Sequence, residues 1–134
     1  MPIEAATTPC SIAVAIDVSN LEKSCGFYAR LLGFEQVGVE RAGLIYESRA
    51  LRSSRFPGVE LRLRAAFGKR PFGSCAGGLL SLTLPVPDLR AAVNALRGQV
   101  RWRGPEPAEP PQTKSVEFID PDGYVLCLAW ADRP

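Results

Sequence analysis

Apolar and small or polar residues alternate through Ile12-Ala13-Val14-Ala15-Ile16-Asp17-Val18. Ile12, Val14, Ile16 and Val18 fall on one face and Ala13, Ala15 and Asp17 on the other, so period two predicts a strand. Ser19-Asn20-Leu21-Glu22 reads as a capping box, with Ser19 placed to accept from the amide of Glu22. The helix it opens carries Leu21, Cys25, Tyr28 and Leu32 on one stripe, and Gly33 stops it. Three strand-like runs follow, Glu35 to Val39, Leu44 to Ser48 and Val59 to Arg64. The last places Val59, Leu61 and Leu63 opposite Glu60, Arg62 and Arg64. Ala66 to Gly78 holds five glycines or prolines and two phenylalanines, the composition of a linker.

After the linker the pattern returns. Leu80, Leu82, Leu84 and Val86 alternate with Ser81, Thr83 and Pro85. Pro87-Asp88 opens a helix with Leu89, Ala92, Val93 and Leu96 on one stripe, closed by Gly98. A strand is expected over Gln99 to Arg103, then a proline-rich loop from Gly104 to Lys114. The chain closes on a hairpin: Val116 to Ile119 and Tyr124 to Trp130 flank Asp120-Pro121-Asp122-Gly123, whose residue types suit a tight turn. The halves match at one offset, since Val14, Ile16, Val18, Asn20 and Leu21 correspond to Leu82, Leu84, Val86, Asp88 and Leu89, each 68 positions later. Such a repeat predicts two copies of one small α+β unit, each burying a helix against its own strands. The expected layout is one domain over 1–134, with modules at 10–65 and 79–131 joined by the 66–78 linker.

Composition narrows the function. The chain is 46% hydrophobic and 22% charged over 134 residues, which suits a single globular core. The net charge of +2 with scattered arginines argues against nucleic acid as a partner. No apolar run is long enough to span a membrane, and Met1 to Pro9 lacks a basic, apolar leader, so a cytoplasmic protein is expected. The four cysteines, Cys10, Cys25, Cys75 and Cys127, show no CxxC pairing and read as small apolar residues or free thiols. Histidine is absent. That removes the Ser-His-Asp triad, the Cys-His dyad and the histidine-based zinc and iron sites.

Val18-Ser19-Asn20-Leu21-Glu22-Lys23-Ser24 running into Phe27-Tyr28-Ala29-Arg30-Leu31-Leu32-Gly33-Phe34 resembles the first βα unit of the vicinal oxygen chelate superfamily. That superfamily includes glyoxalase I, extradiol dioxygenases, and fosfomycin- and bleomycin-resistance proteins. Phe118-Ile119-Asp120-Pro121-Asp122-Gly123-Tyr124 is similar to its C-terminal turn. The resemblance implies two βαβββ modules forming a U-shaped mixed sheet around a cavity, usually in a homodimer. The binding branch of the family exchanges an N-terminal strand between subunits, and Pro9 would suit that hinge. The four metal-ligand positions of the family's enzymes fall on Ala13, Ser81, Glu60 and Cys127. Only Glu60 keeps a liganding type of that pattern, so neither a metal nor a cofactor is expected.

On the same resemblance the strand faces away from the helices line the cavity. The candidate ligand-binding residues are Asp17, Tyr46, Glu60, Arg62, Arg64, Ser81, Thr83, Trp102 and Cys127. Arg62 and Arg64 could hold a carboxylate or phosphate, or pair with carboxylates on a solvated face. Trp102 could stack on a planar ligand or close the core, and Trp130 is expected in the core. Tyr46, Phe56, Phe67 and Phe72 lie in or near loops and suggest a ligand rim or a dimer contact. The function these readings favour is metal-independent binding of a bulky, partly aromatic compound such as an antibiotic, as in bleomycin resistance, with no catalytic residue. The slightly basic net charge fits an anionic or neutral aromatic compound better than cationic bleomycin. The alternative is a metal-free lyase, isomerase or dioxygenase-like enzyme using Glu60 or Asp17 as base; Arg62 would hold Glu60 ionised and oppose that role.

Overall fold

The computed structural model describes residues 12–42, 46–66 and 81–131. The chain divides into two compact units, Met1–Ser74 and Cys75–Pro134. The first runs β1 (Ile12–Asp17), α1 (Leu21–Leu32), β2 (Glu35–Ala42), β3 (Tyr46–Arg52) and β4 (Val59–Ala66). The second runs β5 (Ser81–Val86), α2 (Leu89–Leu96), β6 (Arg101–Trp102), β7 (Ser115–Ile119) and β8 (Val125–Trp130). Each forms a four-stranded mixed sheet of identical topology, β1-β4-β3-β2 and β5-β8-β7-β6. In both, the first strand pairs in parallel with the last, as a helical crossover requires. The architecture is the α+β, doubled βαβββ arrangement.

The repeat extends to the helix caps. Asn20 accepts from the Lys23 amide at 3.0 Å, and Asp88 accepts from the Ala91 amide at 3.1 Å. Both donors and both acceptors are 68 positions apart. The α1 cap is thus Asn20 rather than Ser19. Asn20 is the extended residue whose carbonyl takes the first helical bond, from Ser24 at 3.0 Å. Asn20→Ala is expected to lower unfolding free energy by about 1 kcal/mol in urea titration. Gly33 ends α1 at φ 74°. At the end of α2 the cap is Arg97, one residue before the positive-φ Gly98.

The core of the first module comprises Val18, Tyr28, Leu32, Phe34, Leu51, Leu61 and Leu63 among others, all essentially buried. α1 buries Ser24, Phe27, Tyr28, Leu31 and Leu32, so Leu21 and Cys25 sit at the margin of the stripe. A charged latch supplements the apolar face: Arg49 of β3 reaches Glu22 of α1 at 2.7 Å and Glu47 at 3.0 Å. In the second module Leu84, Leu89, Val93, Phe118, Leu126 and Leu128 close the core.

Several elements differ from expectation. β3 runs on to Arg52, through a stretch too polar to register as a strand by hydropathy. Leu44 and Phe67, with the rest of the 67–78 segment, Pro9, Cys10 and Cys75, lie outside the described residues. β6 spans two residues instead of five. The Gln99 amide is spent on Leu96 O at 2.9 Å, and beyond Arg103 come Gly104 at φ 102° and Pro105, which has no amide to donate. Phe56 is in the core at 5% exposure, stacked on Phe34 with ring centroids 5.9 Å apart. Trp130 is 41% exposed rather than buried, being the last residue of β8. Among the described residues no helix is long and apolar enough to cross a membrane.

Candidate functional site

Register fixes which side chains share the face of the first sheet turned away from α1. Ala13, Glu60, Arg52 and Glu35 form one row across β1, β4, β3 and β2; Ala15, Arg62, Ala50 and Gly38 form the next; Asp17, Arg64, Ser48 and Glu40 the third. Alternation puts Leu61, Leu63 and Leu51 on the opposite, buried face.

Glu60 is 7% exposed and both its oxygens are engaged. Arg52 Nε donates to Oε1 at 2.9 Å and Arg62 Nε to Oε2 at 2.6 Å. The Arg62 guanidinium, then that of Arg52, holds the Glu60 carboxyl below the ordinary glutamate value despite its burial. In the third row Arg64 Nε donates to Asp17 Oδ1 at 2.8 Å. Beside these pairs lies a hollow of about 230 Å³ whose floor is small, with Gly38, Ser48 and Ala50 next to Glu60 and Arg62. The Arg62 side chain is 55% exposed, so a charged group stands at the hollow while its carboxylate partner is buried.

The equivalent face of the second sheet is less charged. Ser81 aligns with Val125 and Ile119, and Thr83 with Cys127 and Glu117. Arg103 extends this row, donating its amide to Glu117 O at 3.0 Å and Nη1 to Glu117 Oε1 at 3.2 Å. Ser81 and Thr83 are exposed, and Cys127 is a buried free thiol. A second hollow, about 360 Å³, opens between β7 and the 104–114 segment.

Of the nine sequence candidates, Asp17, Glu60, Arg62 and Arg64 thus gather on one sheet face, and Ser81, Thr83 and Cys127 on another. Trp102 does not join the latter. It pairs with Phe118 on the helix side of its sheet, edge-on at 6.1 Å, and its buried Nε1 has no hydrogen-bond partner among the described residues. Tyr46 begins β3, but its side chain lies outside the described residues. Sequence reading missed Arg52, Arg103 and Glu117. The alternation Ser48, Ala50, Arg52 was the available signal for the first. The other two are visible only once β7 is placed beside β6.

Doubled βαβββ modules, each a four-stranded mixed sheet with one helix, define a class of small α+β proteins. The sequence matches the glyoxalase/bleomycin resistance protein/dioxygenase superfamily over residues 12–128, and the chain belongs to it. A search of curated proteins finds no match. Among solved structures it resembles TnmS3, an antibiotic-binding protein from Streptomyces sp. CB03234, with 23% identity, TM-score 0.66 and coverage of 95% of this chain and 98% of that one. It also resembles a glyoxalase/bleomycin resistance protein from the same Streptomyces, with 25% identity, TM-score 0.61 and coverage of 87% and 96%. The trypanothione-dependent glyoxalase I of Leishmania major is similar as well, with 20% identity, TM-score 0.72 and coverage of 92% and 87%.

The resemblance places the ligand positions of a divalent metal on Ala13, Ser81, Glu60 and Cys127, and the residues there do not fit one. Ala13 offers a methyl group and Ser81 a neutral hydroxyl. Glu60 has its oxygens committed to two guanidiniums, and Cys127 is a soft donor unlike the glutamate it replaces. Among the described residues no three Cys, Asp or Glu side chains form a group able to hold an ion.

Proposed function

We propose that this chain is a metal-independent binding protein that holds a bulky, partly aromatic small molecule, such as an antibiotic, and releases it unchanged. The observation that carries the proposal is the state of Glu60. A general base needs an accessible carboxylate of raised pKa, whereas this one is buried, doubly bonded and depressed. What remains is a preorganised polar patch beside small residues, which suits recognition without proton transfer. On the first module Arg62 is the proposed charged contact, with Asp17 and Arg64 on the same sheet face and Tyr46 at the start of β3 as further proposed contacts; on the second module Ser81, Thr83 and Cys127 are proposed contacts on a sheet face of their own. The likeness to an antibiotic-binding protein supports this reading. The working form proposed is a cytoplasmic homodimer.

Anilinonaphthalene sulfonate, an anionic aromatic probe, should bind saturably, and Arg62→Ala should weaken it by about ten-fold. Aromatic antibiotics retained by the protein should be recovered with unaltered mass after denaturing extraction. Product accumulating in proportion to protein and time would instead establish catalysis. The other candidate base, Asp17, is half-buried and accepts from Arg64 Nε at 2.8 Å through Oδ1.

A further inference from the structure

The hollow on the second module uses none of the groups around Glu60, and its walls are built rather than incidental. Within the 104–114 segment, Glu106 to Glu109 are tied to α2 and its C-terminal cap. Arg97 donates to Glu106 Oε2 at 2.9 Å, Pro107 O at 2.8 Å and Ala108 O at 2.9 Å. Asn94 and Arg90 hold Glu109 at 3.0 and 3.2 Å. Pro105 and Pro107 line the hollow with rigid, apolar rings whose φ is fixed covalently. At about 360 Å³ the space falls within the range of small-molecule sites.

On the other side stand Arg103, Ser115 and Glu117. The Arg103–Glu117 pair is a single contact at 3.2 Å between side chains 57% and 40% exposed. Among the described residues neither side chain makes another hydrogen bond. The pair therefore retains guanidinium donors next to a carboxylate acceptor, and an exposed pair of this kind is weak enough to share its groups with a ligand. A donor beside an acceptor is complementary to an edge carrying an acceptor beside a donor, as a lactam or a primary carboxamide does. The proline rings offer apolar surface for the flat body of such a molecule.

We propose that this hollow is a binding site for planar compounds presenting a lactam or primary carboxamide edge, with Arg103 donating to its carbonyl and Glu117 accepting from its N–H. The inference stands apart from the proposed binding at Arg62.

The probes are naphthamide and acetonaphthone, nearly isosteric, the second lacking the N–H donors. Each is titrated into the whole chain with amide chemical shifts as readout. Naphthamide should saturate and shift amides of residues 103–117, with acetonaphthone about ten-fold weaker because it leaves the Glu117 carboxylate unmatched. Glu117→Ala and Arg103→Ala, both at exposed positions, should each weaken naphthamide by about ten-fold. Equal affinity for the two probes, shifts centred outside 103–117, or no saturation by about 5 mM naphthamide would each overturn the assignment. The probe comparison needs no variant, so it decides the matter even if a substitution perturbs folding.

Discussion

Phe56→Ala is expected to lower the unfolding free energy by about 3 kcal/mol, a loss of the size seen when buried aromatics are truncated. Phe56 stacks on Phe34 at 5.9 Å with the rings 19° from parallel, and Phe34 meets Tyr28 edge-on at 6.2 Å. The segment before β4 is drawn onto this cluster by a chain of bonds. Ser53 Oγ donates to Leu32 O at 3.2 Å, the Phe56 amide donates to Ser53 O at 3.1 Å, and the Val59 amide to Phe56 O at 3.1 Å. Truncation would leave a cavity that this braced segment cannot readily collapse to fill. Against a total of about 5–15 kcal/mol the loss is large. Urea unfolding followed by circular dichroism would measure it. A change below about 1 kcal/mol, combined with loss of ligand affinity, would instead make Phe56 a rim residue.

Phe56 also marks where sequence reading stops. Ser53-Ser54-Arg55-Phe56-Pro57-Gly58 carries turn chemistry, and a single aromatic within it has no periodic partner to reveal which way it faces. The strands and helices were legible because their signals are local. Alternation placed Ile16, Val18, Leu84 and Val86 in the core. The offset between halves anticipated that Asn20 and Asp88 occupy equivalent places, and both prove to be helix caps. Where the deciding contact is long-range, pattern alone was insufficient. The bond from Arg52 to Glu60 joins adjacent strands whose register is fixed only by the folded sheet. Glu60 and Arg62 lie two apart on one strand, so their shared face was readable. The second arginine, which changes what Glu60 can do, was not. For Trp102 the alternation of Val100 and Trp102 with Arg101 and Arg103 gave a face but left core and ligand stacking both open, and the pairing with Phe118 decides for the core.

Glu60→Ala should destabilise the chain by about 2–3 kcal/mol at neutral pH. Removing one member of a buried ion pair costs about 3–5 kcal/mol, and charge-assisted hydrogen bonds contribute about 1.5–3 kcal/mol each. The lower figure applies because the guanidiniums of Arg52 and Arg62 are 36% and 55% exposed and recover solvation once unpaired. The pH dependence identifies the charge as the cause. Arg62 foremost, with Arg52, depresses the Glu60 pKa in the folded state. A depressed carboxyl contributes stability that is fully present above its unfolded value, near 4.3, and is lost as pH falls through the folded value. The gap between wild type and Glu60→Ala should therefore be constant from about pH 7 to pH 5 and narrow progressively below about pH 4. Denaturant unfolding of both proteins at about pH 7, 5 and 3 tests this. A gap unchanged at the lowest pH would mean that Glu60 contributes by packing alone. The two arginines would then owe their positions to something other than its charge, and the polar patch would lose the preorganisation on which the binding proposal rests.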